Sequence, residues 1–287
     1  MLTYVIGSGL GWTFFDFARR RVGETVSAVP AVIFIMLIQT LINLPFGGWT
    51  EPFSQSAGWW SIALASVLTN AVANVFFVMG VQRAPFTLGV PLLSLTPALA
   101  ATVGTIYHGE NLTLQQWAGV AVVVGFALWL GWRGESRKLT RREVGGLMMM
   151  ATTALLWAIT PFFDRACTLS GQVRLTIYVA SQCMGVAIAL LIPGMLNAKT
   201  RTEILSTARR YREWWKWSLI AAIAASIGLY FQIKGISVGA VGLFEAFKRS
   251  TTLLLSLGLG FFVLKEPLTR AKIVAAIGMA VGIFLLA

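Results

Sequence analysis

The sequence predicts an all-α polytopic membrane protein, with ten transmembrane helices arranged as two inverted five-helix repeats. Three observations carry that expectation. First, the 287-residue chain is 57% hydrophobic and only 12% charged, and its mean hydropathy is +0.76. Soluble globular domains run about 45–50% apolar and about 25% charged, so a disordered chain and a soluble enzyme both fit poorly. Second, the charges sit in short clusters between long apolar runs. A helix needs about 20 apolar residues to cross a bilayer. Third, the two halves of the chain resemble each other. The net charge of +12 does not point to nucleic acid, because its cations form no solvated basic face.

The elements follow in order. The first run, 2–18, has no basic residues before it and leads into Arg19, Arg20 and Arg21, so it reads as a retained helix, not a cleaved signal. It carries Trp12 and Asp16. The second, 28–46, starts near Pro30 and holds Gln39 and Asn43. The third, 59–79, opens on Trp59 and Trp60 and holds Asn70 and Asn74. The fourth, 85–107, includes Pro91 and Pro97, and the fifth, 115–132, is rich in Gly, Ala and Val. A basic linker, 133–144, separates a first repeat (1–132) from a second (145–287). The sixth run, 145–163, carries Trp157 and Pro161 and ends beside Asp164; the seventh, 175–193, carries Gln182. The eighth, 215–233, follows Trp214 and includes Trp215, Trp217, Tyr230 and Gln232. The ninth, 239–262, contains Glu245, Lys248 and Arg249, and the tenth is 270–287. The loops, longest near 45–58, 133–144 and 194–214, leave no room for a soluble domain. Backbone groups in lipid must bond internally, which favours a helical bundle, and small residues let its helices pack closely.

Loop charges predict orientation. Eighteen Lys and Arg fall on the side of the loops after spans 1, 3, 5, 7 and 9, against three (Arg165, Arg174 and Lys234) on the other. Positive loops stay cytoplasmic. Both chain ends are therefore expected outside, and the expected location is a bacterial inner membrane.

The halves share short signatures. Glu110-Asn111-Leu112-Thr113 after the fourth span matches Glu266-Pro267-Leu268-Thr269 after the ninth, and Gly104 matches Gly260 at the same offset. Trp12 has a counterpart in Trp157, and Phe15-Asp16 in Phe163-Asp164. Five helices is an odd number, so the second half inserts upside down relative to the first. Such inverted repeats are common in secondary transporters, with the substrate near the midplane between halves. With these motifs, the chain resembles the drug/metabolite transporter superfamily, EamA-like branch, across essentially its whole length. The resemblance implies a secondary transporter, often an exporter, of small metabolites. It also implies cytoplasmic termini, as in many ten-helix relatives, whereas the charge bias argues the reverse.

Charge inside a span is costly and points to function. Glu245, Lys248 and Arg249 are spaced to share one helix face, with Lys248 near the midplane. The pair predicts an anion site, in which Arg gives bidentate contact and Lys a point charge. The alternative is an internal ion pair that only holds the helix in place. The pair also resembles that of the sugar-phosphate translocators, although only Lys248 and Arg249 match that family. Asp16 and Glu245 are candidates for coupling to a proton or counter-substrate. Asp164, at the end of its span beside Arg165, reads better as an interfacial charge.

Polar residues in apolar spans face the bundle interior. Gln39, Asn43, Asn70, Asn74, Gln182 and Tyr230 are therefore candidates for substrate contact, and equally for bonds between helices. Trp12 and Trp157 are candidates for stacking on a ligand, while Trp59, Trp60, Trp214, Trp215 and Trp217 suit an interfacial belt. No Walker-type glycine loop, metal cluster or cofactor motif is apparent. The expected partners are the lipid bilayer and a small-molecule substrate, in a monomer or homodimer. The function expected is secondary transport of a small polar, anionic or zwitterionic metabolite by alternating access. The rivals are a lipid-carrier flippase of the same fold and an intramembrane aspartyl protease built on Asp16 and Asp164.

Overall fold

The computed structural model describes residues 1–46, 50–84, 92–132, 139–169, 173–262 and 269–286. Among the described residues the regular structure is helical: α1 (Leu2–Gly23), α2 (Ala28–Asn43), α3 (Ala57–Arg83), α4 (Leu95–His108), α5 (Leu114–Trp132), α6 (Arg141–Thr168), α7 (Leu175–Leu196), α8 (Ala198–Arg209), α9 (Tyr211–Ser237), α10 (Val241–Phe262) and α11 (Arg270–Leu286). Four of them, α3, α6, α7 and α9, are long and apolar enough to cross a membrane. Shorter apolar stretches are Ala28–Asn43, Leu114–Trp129 and Ile273–Leu286.

Helix ends follow local chemistry. Ser56 caps α3 by accepting from the Trp59 amide, and Thr140 forms a reciprocal capping box with Glu143 at the start of α6. α4 stops at Gly109, whose φ of 65° lies in the left-handed region that glycine adopts without penalty. Several helices outrun the apolar runs that announce them. α6 extends to 141–168 where the sequence predicts 145–163, and α1 continues to Gly23 past the expected end at residue 18. Hydropathy registers the apolar stretch, whereas the hydrogen-bonded helix continues through polar turns beyond it.

One element falls where the sequence suggests only a loop. α8 is polar, capped by Asn197, and joined to α2 by the Ser27 hydroxyl bonding to Glu203 at 2.9 Å. Its polarity hides it from a span-length search. Pro91 and the Glu266-Pro267-Leu268 part of the second repeat signature lie outside the described residues, as does 133–138 of the linker.

The most extensive pairings join helices from opposite sides of the linker: α1 with α9, α3 with α6, α5 with α11, α2 with α7 and α4 with α10. The α1–α9 crossing is so close that a side chain at Gly11 would overlap the backbone of Gly228. The main core runs through α1, α2, α3, α6, α7 and α9.

The tryptophan belt divides. Trp60 and Trp215 are exposed, but Trp59 and Trp214 are buried. Their indole N–H groups donate to the Cys167 carbonyl at 3.0 Å and the Thr207 carbonyl at 2.9 Å. A buried Trp keeps its N–H satisfied in this way, so these two hold helix ends together and correct the belt expectation.

Candidate functional site

A central cavity of about 130 Å³ lies between α1, α2, α3, α4, α6, α7, α9 and α10. Neither α5 nor α11 contributes a described residue to its wall. Polar side chains from each bordering helix turn into this space, because lipid offers them no partner.

The charges predicted on the ninth span lie in this wall, with Glu245 and Lys248 paired. Lys248 Nζ is 2.6 Å from both Glu245 carboxylate oxygens. It also donates to Gln232 Oε1 at 3.0 Å, and the Trp12 indole donates to the same oxygen at 2.8 Å. Trp12, Gln232, Lys248 and Glu245 thus form one chain of contacts across α1, α9 and α10. Arg249, one residue along, faces α4 and donates to Ser94 Oγ at 3.4 Å.

Gln39, Asn70, Asn74, Trp157 and Gln182 also reach the cavity wall. Asn43 does not belong to it. Its amide donates to Ser226 at 2.9 Å and to the Gln39 carbonyl at 2.8 Å, the helix-joining alternative. Tyr230 is 42% exposed and packs edge-on against Phe231. Two residues on, Gln232 takes the inward position. Side chains two apart on a helix point about 200° apart, and so to opposite faces.

Asp16 lines the cavity and is paired to Arg19 at 2.7 Å. Asp164 is the larger correction. It is 4% exposed and lines the cavity, where the sequence suggests an interfacial charge beside Arg165. Arg165 turns instead to Glu110, at 3.3 Å. Ser66 and Tyr178 each donate to Asp164 Oδ1 at 2.7 Å. The sequence cue fails because α6 continues to Thr168, which draws Asp164 back inside the bundle. Asp16 and Asp164 share no hydrogen bond, so they do not form the shared-proton pair that an aspartyl protease requires.

Sequence reasoning missed Ser66 and Tyr178, and it missed Arg19. Arg19 is 2% exposed, not a loop charge. It donates to Asp16 at 2.7 Å and Asn74 at 2.9 Å, and its guanidinium carbon lies 3.5 Å from the Phe77 ring centroid and 4.4 Å from that of Phe15. The signal available in the sequence was helical periodicity: Phe15 and Asp16 lie four and three positions before it, on the same face.

The family model described as "EamA-like transporter family" matches residues 1–132 and 144–287. Among curated proteins, protein RarD of Streptomyces exfoliatus is 28% identical over 135 residues, covering 46% of this chain and 42% of RarD. The threonine/homoserine exporter RhtA of Escherichia coli (strain K12) is 27% identical over 128 residues, covering 43% of this chain and 42% of RhtA. The ArnE protein of Yersinia pseudotuberculosis, named as a probable 4-amino-4-deoxy-L-arabinose-phosphoundecaprenol flippase subunit, is 25% identical over 88 residues, covering 29% of this chain and 75% of ArnE. The matches thus span 42% of the length of RarD and of RhtA. A crystal structure covers 99% of this chain and 94% of its own with a TM-score of 0.77, at 17% identity, a likeness of fold alone.

Proposed function

This chain belongs to the EamA-like transporter family, and from that premise we propose that it is a secondary active transporter of a small polar, anionic or zwitterionic metabolite, working by alternating access. The observation that carries this reading is the central cavity itself. It is lined from eight helices and holds Asp16, Asp164, Glu245, Lys248 and Arg249 inside a bundle of predominantly apolar helices. Charge at such depth is costly and marks a substrate or ion path.

The helix pairings support two inverted repeats, 1–132 and 145–287, joined by the basic linker. Exchanging each helix of the first half with its counterpart in the second converts the α1–α9 pairing into α6–α3. The same exchange turns α1–α10 into α6–α4 and α2–α9 into α7–α3, and each of those pairings is present. The α2–α7, α4–α10 and α5–α11 pairings map onto themselves. Rocking one such half against the other exposes a midplane site to each side in turn.

Lys248 and Arg249 then receive the carboxylate or phosphate of the substrate, with Glu245 holding Lys248 in place. Asp16 is held by Arg19 at 2.7 Å and Glu245 by Lys248 at 2.6 Å, so either carboxylate acts in coupling by exchanging its internal cation for another. The similarity to RhtA makes threonine and homoserine the first compounds to try. In proteoliposomes, Lys248→Ala and Arg249→Ala should each abolish uptake of an anionic or zwitterionic substrate; unchanged transport in both removes the anion site.

The match to ArnE favours a second reading, a flippase for a lipid-linked polar group. Translocation of a fluorescent polyprenyl phosphate across liposomes, without transport of free metabolites, would select it.

A further inference from the structure

Asp164 differs from the other carboxylates around the cavity. Asp16 has Arg19, and Glu245 has Lys248. Glu110, at the cavity-remote end of α4, has Arg165 and two backbone amides. Asp164 has only neutral partners. Ser66 and Tyr178 both donate to Oδ1, no described residue donates to Oδ2, and no described cation lies within 4.0 Å. A buried carboxylate without a positive partner is costly. The two hydroxyls fix its direction but bring no charge. Tyr178 on α7 adds an aromatic ring to the wall beside it. Aromatic faces attract cations.

We infer that Asp164 is the subsite for the substrate's ammonium group, so that the transported molecule is a zwitterion bearing a primary amine. Its amine meets Asp164 between α3, α6 and α7, and its carboxylate meets the Lys248–Arg249 side on α10. The inference rests on the transporter reading above and narrows it. A cavity with a carboxylate held only by hydroxyls on one wall, and Lys248 and Arg249 on another, selects molecules that carry both charges. It rejects a simple anion, which leaves Asp164 buried and unpaired.

The test uses the purified full-length chain in detergent and in proteoliposomes. Three matched sets of probes are compared by thermal shift and by competition for transport: the protein amino acids, the 2-keto acids that lack their amine, and primary amines that lack their carboxylate. The best amino acid should bind at least tenfold more tightly than its keto acid. In Asp164→Asn that preference should collapse. The apparent Kd of the amino acid rises about tenfold, equivalent to about 1.4 kcal/mol, while the keto acid binds at least as well as before, because Asn leaves no unpaired charge. Tyr178→Phe keeps the carboxylate but removes one anchoring hydroxyl. It should give a smaller loss in the same direction, and it carries the test if Asp164→Asn does not fold. Equal binding of amino and keto acids by the native chain overturns the inference. So does an amine preference that survives in Asp164→Asn, which would leave a proton as the charge that Asp164 receives. Binding confined to keto acids overturns the ammonium subsite and leaves an anion transporter standing. A chain that binds and moves none of the three sets sinks both readings.

Discussion

Arg19 sits between two hollows. The central cavity has Phe15, Asp16, Asn74 and Trp157 in its wall, and a second hollow is bounded by Arg19, Arg20, Glu24, Phe77 and Gln82. The guanidinium separates them by stacking its face on Phe77 and directing its N–H groups to Asp16 and Asn74. Lysine cannot reproduce this arrangement, because an ammonium is a point charge with no planar fork. Arg19→Ala leaves Asp16 without its cation and should cost about 3–5 kcal/mol, the scale for breaking a buried pair; Arg19→Lys should lose less. Unfolding of both variants in detergent measures this, and a native-like melting temperature for Arg19→Ala would contradict the role given to the pair. The sequence concealed Arg19 inside the triplet Arg19-Arg20-Arg21, which resembles a membrane-boundary marker. In the helix, which runs on to Gly23, Arg19 turns inward and Arg20 outward, since successive residues rotate by about 100°. Lys248 and Arg249 were legible for the opposite reason, as no boundary explains a cation in the middle of an apolar run.

α10 begins on a carboxylate from another helix pair. Chain reversal at Gly109 brings Glu110 to the first turn of α10, where it accepts from the Val241 amide at 2.8 Å and the Gly242 amide at 3.3 Å. It also binds Arg165 of α6 at 3.3 Å. The first amides of a helix lack internal partners and carry the positive end of its dipole, so an anion there is favourable. Glu110 thereby fixes the start of the helix that presents Glu245, Lys248 and Arg249 about one to two turns later. Glu110→Ala should lower stability by about 1–2 kcal/mol, on the scale of a lost helix cap. It should also weaken substrate binding without touching the cavity, whereas Glu110→Gln should lie between. Melting temperature and ligand affinity on the same preparations check this, and an unaltered pair of values in Glu110→Ala would rule out the cap as a support for α10. The repeat signature singled out Glu110, but its work is done on a helix 131 positions away in the chain, a relation that no local pattern records. α8 was missed for a simpler reason: a polar helix carries no apolar run to read.

At the scale of the molecule, the all-helical, apolar character of the fold was legible because lipid imposes length and apolarity on a span. The cavity was less so, because hydropathy states that a polar residue turns inward without stating toward which neighbour. Gln39 and Asn43 share a helix face and still divide between cavity wall and helix contact. The proposed inverted halves place a specific demand on topology. With Arg19 withdrawn into the bundle, the charge bias between the two sides is 17 to 3, still strong enough to set orientation. Both termini should therefore lie outside and the 133–144 linker inside. Alkaline phosphatase fused after residue 287 should be active and green fluorescent protein dark at the same point, with the reverse outcome for fusions after residue 138. If both junctions exchange sides, the arrangement of halves stands and the charge bias has been outweighed. If both junctions report the same side, an odd number of crossings does not separate them. The second half is then not inverted relative to the first, and alternating access between inverted repeats loses its structural basis.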